Sequence, residues 1–302
     1  MAVDRRLSSV VKRPKRLAAE YRQRKWPDSA SQKVDISVTA VSETEHTQRL
    51  GYMIESNLAS KAAQGVKPQI FDELYLTFWK NEFEDARIGR ERDLILHLAE
   101  LQKGDKVLDL GCGIGRLSIA LANEGLEVVG VDRSDDAFVE ASRIPIRGCR
   151  FIKSDWRNIL PTAEFNCVLF WFTTLCTDFD TDMVALEIAR SSLAEGGTLL
   201  IETRHWDRME RRFDPTTIRC SEKGKLVEHH SYDPVSGQQT TDEVFEIGPA
   251  RFQRTYTTRR YCFSQLRDMC LHAGFRHVDG FDENGRVLGN ESERAVLRAR
   301  FQ

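Results

Sequence analysis

The sequence predicts an α/β fold in which helices cover both faces of a mostly parallel β-sheet. Short apolar runs bounded by polar turns recur along the middle of the chain, and stretches with apolar residues at helical spacing separate them. Parallel strands need a crossover connection, usually a helix, so this alternation is typical of a parallel sheet. The predicted strands are 107–110, 128–131, 150–153, 167–170 and 198–203.

Length and composition indicate an ordinary soluble protein. The 302 residues (34.6 kDa) favour one large domain with extensions over two small domains. A net charge of -2 and a pI near 6.4 argue against a globally basic nucleic-acid binder. No stretch approaches the ~20 apolar residues that span a bilayer, and no signal-peptide core follows the first basic residues. We therefore expect a cytoplasmic protein.

The cysteines predict neither a metal site nor a disulfide framework. The chain has seven of them, and no two form a C-x-x-C pair. Most lie within strand or helix patterns, as reduced thiols in a cytoplasm do. No metal is expected.

The first part of the chain is predicted to be a basic, largely flexible extension, residues 1–66, before a domain at 67–302. Residues 1–26 carry nine basic side chains against Asp4 and Glu20, and the polar stretch that follows lacks a sustained hydrophobic period. A solvated tail is one interpretation of this arm. An organelle-targeting segment and a nucleic-acid or membrane contact are the alternatives.

Two helices are predicted before the first strand. Phe71, Leu74, Tyr75 and Phe78 have the i, i+3, i+4, i+7 spacing of a helix with one buried face. A second helix, from about 84 to 101, leads into the first strand.

A glycine-rich turn follows that strand and indicates a ligand site. Gly111, Gly113 and Gly115 can take positive φ and lack a Cβ, so a ligand can lie directly on the backbone. The dinucleotide pattern G-x-G-x-x-G requires glycine or alanine where Arg116 stands, which weakens a nicotinamide cofactor. Asp109 places a carboxylate beside the turn and favours a cationic ligand such as S-adenosylmethionine. A tight turn without a ligand is the alternative.

Acidic residues also end the next two strands. Asp132 follows the turn near the spacing of about 20 residues at which an acid reaches a ribose hydroxyl pair. Asp155 can accept from an adenine amino group, and the ring of Trp156 can lie on the base. Each acid alone has a bland alternative as a helix cap, but acids at three successive strand ends favour a nucleoside ligand.

These motifs together resemble the Rossmann-like (class I) S-adenosylmethionine-dependent methyltransferases. The matching runs are V-L-D-L-G-C-G-I-G, V-V-G-V-D, S-D-W, N-C-V-L-F and L-A-E-G-G-T-L-L-I, between about 105 and 204. The resemblance implies a doubly wound, seven-stranded sheet and S-adenosyl-L-methionine as cofactor. It also implies that the loop leaving the fourth strand, residues 171–174, lies against the reacting sulfur, with Phe170 before it as a cofactor-binding candidate. N-terminal helices are expected to close over the methionine end. Tyr75, Trp79 and Arg87 are the candidates for that closure, with plain packing as the alternative for the rings.

An antiparallel insertion is predicted after the fifth strand, from 204 to 261. Alternating segments are separated by turns at 223–224 and 233–237, as in a β-meander. Its place beside the mouth of the site predicts a substrate lid. Ser264 is then expected to cap a helix that stops at Gly274, before two last strands.

The end of the fifth strand, I-E-T-R-H-W-D, resembles glycine N-methyltransferases, in which an arginine holds the amino-acid carboxylate. Arg204 occupies that position, with a structural salt bridge as its alternative. His205 and Tyr261 are candidate catalytic groups, and His229 and His230 are further candidate bases. The loop after Phe170 lacks the Asn/Asp-Pro-Pro-aromatic run of enzymes that methylate base amines, which counts against DNA.

The predicted function is therefore methyl transfer to N or O of a small molecule, one that carries a carboxylate if the Arg204 assignment holds. Two alternatives remain open at this point: a cofactor-binding pseudoenzyme that serves as a partner subunit, and an RNA methyltransferase recruited by the basic arm.

Overall fold

The computed structural model describes residues 38–40, 77–79, 84–143, 145–172 and 175–301. The basic arm, Tyr75 and most of the first predicted helix lie outside these residues. The strands are β1 Val38–Ala40, β2 Lys106–Leu110, β3 Glu127–Asp132, β4 Cys149–Lys153, β5 Phe165–Phe170, β6 Leu193–Arg204, β7 Thr216–Ser221, β8 Gly224–Asp233, β9 Gln238–Ile247, β10 Ala250–Arg259, β11 His277–Phe281 and β12 Arg294–Arg300. The helices are α1 Asp85–Leu98, α2 Arg116–Asn123, α3 Asp135–Ala141, α4 Phe179–Ser192, α5 Trp206–Arg211 and α6 Phe263–His272, with a 3-10 turn at Trp156–Asn158.

A seven-stranded sheet in the order β11-β12-β6-β5-β2-β3-β4 forms the centre of the molecule. Strands β2 to β6 are parallel to one another, and β12 runs antiparallel between β6 and β11. From β2, the chain adds β3 and β4 on one side of the sheet and then returns to add β5 and β6 on the other side. The sheet is therefore doubly wound. The predicted fold class is confirmed.

The inner strands are apolar on both faces because helices cover both sides of the sheet. Leu108, Leu110 and Val168 are at most 1% exposed within a cluster that includes residues of α4 and α6. Val107 and Leu169 belong to a second cluster that includes residues of α1 and α2. Two separate hydrophobic layers therefore hold the sheet in place.

The helix starts follow local side-chain chemistry. The Ser134 hydroxyl accepts from the Ala137 amide at 3.2 Å, which confirms its predicted role as the cap of α3. Ser264 is not the cap of α6. That helix begins at Phe263, two residues earlier than a Ser264 cap would place it, and follows Cys262, whose amide donates to the Gln265 side chain at 3.0 Å.

A second, antiparallel sheet is formed by the segment between β6 and α6, as predicted. We call it the insert sheet: strands β7 to β10 form a meander, and β1 adds to its outer edge through β10. The strand β1 was not predicted, because three residues carry no recognisable period. Within the first predicted helix, residues 77–79 are helical, and Phe78 packs on Phe245 with ring centroids 5.6 Å apart.

None of the helices in the part of the chain that the structure describes is both long and apolar enough to cross a membrane.

Candidate active site

The C-terminal ends of the parallel strands meet at one edge of the central sheet and bring the predicted site residues together. Because the strand order is β4-β3-β2-β5-β6, the residues that follow these strands form a row. The row runs from Asp155 through Asp132, the glycine turn and Phe172 to Arg204. Neighbouring strands are about 4.8 Å apart, so this row spans roughly 20 Å, and ligands of doubly wound sheets bind at such an edge.

The glycines of the turn serve different purposes. Gly111, Gly113 and Gly115 have φ of +75°, +56° and +77°, a region that side chains rarely adopt. A Cβ on Gly115 would lie 2.5 Å from the Phe151 ring, so this glycine is required by packing. A Cβ on Gly113 would meet nothing within 4 Å. Gly113 therefore borders open space on which a ligand can lie.

Asp132 supports the turn and keeps capacity for a ligand. Its carboxylate accepts from the Gly113 amide at 2.8 Å and from the Ser134 amide at 2.8 Å. A carboxylate has about four lone-pair sites, so two hydrogen-bond positions remain. Asp132 is half-buried at the end of β3, and its contact with a ribose stays a prediction.

Asp109 lies beneath the turn, only 2% exposed. The Ser118 hydroxyl on α2 donates to its carboxylate at 2.6 Å, which ties the helix to β2. Burial raises the pKa of Asp109 to about 6, and the hydrogen bond from Ser118 opposes that rise. The structure thus gives this carboxylate a supporting position under the turn, not the predicted position beside a cationic ligand.

Asp155 has a partner that the sequence analysis missed. The Arg157 guanidinium donates to both carboxylate oxygens, at 2.9 and 2.5 Å, and the Arg157 amide donates at 3.0 Å. Burial opposes ionisation of Asp155, but these hydrogen bonds outweigh it and lower its pKa. The Arg157 guanidinium also lies 5.9 Å from the Trp156 ring centre. The signal was available, because an arginine two residues after a capping acid can reach back to it.

Phe172, in the loop after β5, is fixed by charged neighbours. Its φ is +61°, unusual for a bulky residue, and its amide donates to the Glu202 side chain at 2.8 Å. Three guanidinium groups lie 5.1 to 5.8 Å from the ring centre, those of Arg87, Arg116 and Arg294. This ring therefore connects α1, α2 and β12, and it lies between the glycine turn and Arg204 in the row.

Two predicted residues are buried in the core and do not line the row. Phe170 is fully buried in the cluster with Leu110 and Val168. Tyr261 is 4% exposed, and its hydroxyl donates to the Asp182 carboxylate at 2.8 Å. Tyr261 was expected to face the substrate, but its hydroxyl is committed to a buried acid. The structure corrects both placements.

His205 is also placed differently from its prediction as a catalytic group. His205 is 5% exposed, and its Nδ1 lies 3.0 Å from the Ser292 carbonyl oxygen, to which it donates. Its Nε2 lies 3.5 Å from an Asp207 carboxylate oxygen. His205 thus connects the start of α5 to the segment before β12, and we assign it a structural position.

Arg204 lies at the end of β6, half-buried and facing other guanidinium groups. Burial lowers its pKa, and Arg294, Arg260 and Arg219 lower it further, while Glu228 opposes them. Among the described residues no carboxylate forms an ion pair with Arg204. Arg260, just after β10, was not predicted, although its position beside the predicted Tyr261 at the return of the insertion was a usable signal.

Comparison with known proteins finds similarity to methyltransferases. A family model described as a methyltransferase domain matches residues 101–249. A putative methyltransferase of Bacillus subtilis is 36% identical over 220 residues, which are 67% of this chain and 86% of that protein. A putative methyltransferase of a Geobacillus species is 29% identical over 130 residues, and the match spans about half (51%) of its length and 40% of this chain.

Two further similarities extend over most of the chain. The glycine/sarcosine N-methyltransferase of Parasynechococcus marenigrum is 24% identical over 229 residues, 68% of this chain and 75% of that protein. The structure of an amino pentose methyltransferase from Micromonospora echinaspora, with S-adenosylmethionine bound, superposes with a TM-score of 0.60 at 18% identity, covering 78% of this chain and 99% of that one. At that identity the superposition supports the fold. Together with the glycine turn and the acids in the row, these matches show that the chain belongs to the class I S-adenosylmethionine-dependent methyltransferases.

Proposed function

We propose that this methyltransferase methylates N or O of a small molecule that carries an anionic group such as a carboxylate. One observation supports the anionic group most directly. Where the insert sheet meets the end of β6, guanidinium groups outnumber carboxylates.

Three of these guanidinium groups have acidic partners. Arg294 forms a two-point ion pair with Glu202. Arg254 donates to Glu243 at 2.6 Å. Arg219 lies 3.6 Å from a Glu228 carboxylate oxygen. Within the described residues, the local acids are therefore matched with these three.

Arg204 and Arg260 remain as the surplus positive charge. Burial lowers the pKa of Arg260, as it does that of Arg204, yet an arginine stays protonated in a protein. The protein thus bears the cost of two half-buried cations close together. An anionic group placed between them would compensate both, and a guanidinium binds a carboxylate through two parallel hydrogen bonds.

The insert sheet is proposed as the lid over this site. Half-buried or buried polar side chains occupy its inner face beside Arg260, namely His230, Gln239 and Thr241. Such a wall suits a small polar substrate better than an apolar one. The names of the glycine/sarcosine and amino pentose enzymes support the same class, because both act on small molecules.

The cofactor supplies an electrophilic methyl group on its sulfonium. Gly113 fits such a ligand because no atom stands where its Cβ would be, and Asp132 has free acceptor positions for hydroxyl groups. We propose that Trp156 and Asp155 flank the base. The chain's further task is to hold the acceptor in line and exclude water, and orientation of this kind contributes about 7–11 kcal/mol to a barrier.

The cofactor site is tested by calorimetric titration of wild type and Asp132→Ala with S-adenosylmethionine. Loss of the proposed hydroxyl contacts should weaken binding by about 1.5–3 kcal/mol, or roughly 10- to 150-fold. Asp268→Ala, on the exposed side of α6, is the matched control and should bind as wild type does. Equal affinity of Asp132→Ala would remove Asp132 from the site.

The substrate proposal is tested by turnover to S-adenosylhomocysteine with pairs of acceptors, each carboxylate compared with its neutral amide. Carboxylates should be preferred, and Arg204→Lys and Arg260→Lys should lower kcat/KM about 10-fold or more, because an ammonium lacks the two-point geometry. Cofactor affinity should stay unchanged. Arg267→Lys, on exposed α6, is the control. Equal turnover of acids and amides would overturn the anionic assignment.

A further inference from the structure

We propose that His230 is a positioning residue that takes up a proton when an anion occupies the site between Arg204 and Arg260, and that Gln239 couples the two events. The inference rests on the proposed function, because it requires an anion at that site. It concerns a hydrogen-bonded chain on the inner face of the insert sheet.

The orientation of the Gln239 amide is fixed by Arg260. The Arg260 Nε lies 2.9 Å from Gln239 Oε1, and a guanidinium can only donate, so the amide oxygen must face it. The amide nitrogen therefore faces the other way. It lies 3.1 Å from His230 Nδ1 and 3.2 Å from the Thr241 hydroxyl. Gln239 is only 4% exposed, so water does not replace these contacts.

This orientation selects one form of His230. Because Nδ1 accepts from the amide nitrogen, the ring proton is on Nε2, which lies 3.2 Å from the Thr217 hydroxyl. Thr217 in turn donates to Glu228 at 2.8 Å. Every hydrogen-bond donor in this series of side chains thus points from Arg260 toward Glu228, and His230 is neutral in this arrangement.

Burial and the two arginines also favour the neutral form of His230, whereas the nearby carboxylates oppose it. Burial lowers the pKa of His230, Glu228 raises it, Arg260 and Arg204 lower it, and Asp214 raises it. An anion held by the two arginines would cancel their repulsion of a charged imidazole. The remaining neighbours with charge, Glu228 and Asp214, favour the imidazolium.

The anion would also release the amide. Once Arg260 donates to the anion, the Gln239 side chain can rotate and offer its oxygen to His230. A proton from solvent then binds Nδ1, and the new Nδ1–H donates to that oxygen. No other covalent bond forms or breaks. The imidazolium becomes a third positive charge beside the anion, so anion affinity must increase as the pH falls.

The test is a titration with sodium sulfate of protein labelled with 15N in both histidine and arginine, with ionic strength held constant by sodium chloride. Two-bond 1H–15N spectra distinguish the neutral Nε2–H form from the imidazolium, and loss of a signal in His230→Gln assigns the residue. His230 should be neutral at pH 7 without sulfate and charged at saturation. The apparent dissociation constant should increase by up to about tenfold per pH unit over the range in which His230 titrates.

Gln239→Glu provides a second, independent test. A carboxylate can accept from Arg260 and from Nδ1–H together, so His230 should be charged before any sulfate is added. Sulfate should then produce no further change in His230. Gln253→Glu, on the exposed face of β10, is the matched control and should respond as wild type does.

The two proposals fail in distinguishable ways. Sulfate that shifts the Nε–H signals of Arg204 and Arg260 but leaves His230 neutral would overturn the coupling and leave the anion site standing. Sulfate that shifts neither arginine signal would overturn the anion site, and the coupling with it.

Discussion

Two glycines with the same backbone φ angle show why glycine is required at position 115 of the glycine-rich turn. Gly115 and Gly196 both have φ of +77°. A Cβ on Gly115 would lie 2.5 Å from the Phe151 ring, whereas one on Gly196 would meet nothing within 4 Å. Backbone strain is therefore common to both positions, and collision is specific to Gly115.

We predict that Gly196→Ala lowers the free energy of unfolding by about 1–2 kcal/mol, through the left-handed backbone alone. Gly115→Ala should lose a further ~1–3 kcal/mol, because Phe151 must move. Urea denaturation followed by tryptophan fluorescence measures both. Equal losses in the two variants would show that Phe151 yields without cost.

At the same scale, the sequence was sufficient for some assignments and not for others. Spacing after the strands located Asp132 and Asp155, because a strand end fixes where the next side chain lies. It could not show that Asp155 is held by Arg157, or that Tyr261 turns toward Asp182. Position along the chain locates a Cα, whereas packing decides which way the side chain points.

Among the elements, the insert sheet changes character along its length. Leu226, Phe245 and Phe252 form an apolar end that packs with Phe78 and Trp79. Toward the other end, the inner face carries polar and charged groups. Alternation predicted the strands and turns, but this gradient depends on which strand residues lie side by side.

The pair of Glu243 and Arg254 lies directly across β9 and β10, 2% and 1% exposed. We predict that Glu243→Gln costs about 3–5 kcal/mol of unfolding free energy, because it removes the negative charge that directly faces a buried guanidinium. Glu246→Gln, on the same strand, is the control. Its side chain is 42% exposed and 4.0 Å from Lys225, so it should cost less than ~1 kcal/mol in the same denaturation experiment. Similar costs for both would indicate that water reaches Arg254.

Element boundaries were predicted well where packing is local. The helix expected at 84–101 is observed at Asp85–Leu98, and the two strands expected after Gly274 are observed as β11 and β12. The strand β6 is longer than predicted, since it begins at Leu193 before a glycine pair. The strand β1 was missed because its partner β10 is distant in the sequence, and only tertiary contact defines the pairing.

For the whole molecule, acids with shifted pKa values fall into two groups that act oppositely on stability. Burial raises the pKa of Asp109 and of Asp182 to about 6 each. Ionising them costs stability, so their contribution is complete below the unfolded pKa and is lost as pH rises through about 6. Acids with lowered pKa contribute above the unfolded value and lose their contribution in acid: Glu100, Asp155, Glu164 and Asp233.

We therefore predict that stability without ligand is greatest near pH 4–5 and declines toward pH 7, the interval between unfolded and folded values for the buried acids. Asp109→Asn should remove up to about 3 kcal/mol of that decline, the equivalent of a difference of about two in pKa. Asp268→Asn, 65% exposed, is the control. Urea denaturation from pH 4 to pH 8 measures this, and a decline of equal size in Asp109→Asn would contradict the assignment.

The row of strand ends that we propose as the cofactor site was predictable at this scale because it depends on a fixed order of strands. The proposed anion site was only half predictable. Arg204 ends a core strand, but Arg260, Gln239 and His230 reach it from three places in the insert sheet. Their convergence depends on how that sheet folds back, which no local pattern encodes.

Because β1 pairs with β10, the N-terminal part of the chain protects an edge of the insert sheet. Composition predicted that residues 1–66 form a largely flexible extension, yet the backbone of residues 38–40 pairs with β10 at Ala250, Arg251 and Phe252. A protein shortened to residue 67 would present those amides and carbonyls as an open edge, a template on which a strand of a second copy can add. Shortening the chain would thus remove the strand that protects this edge against self-association.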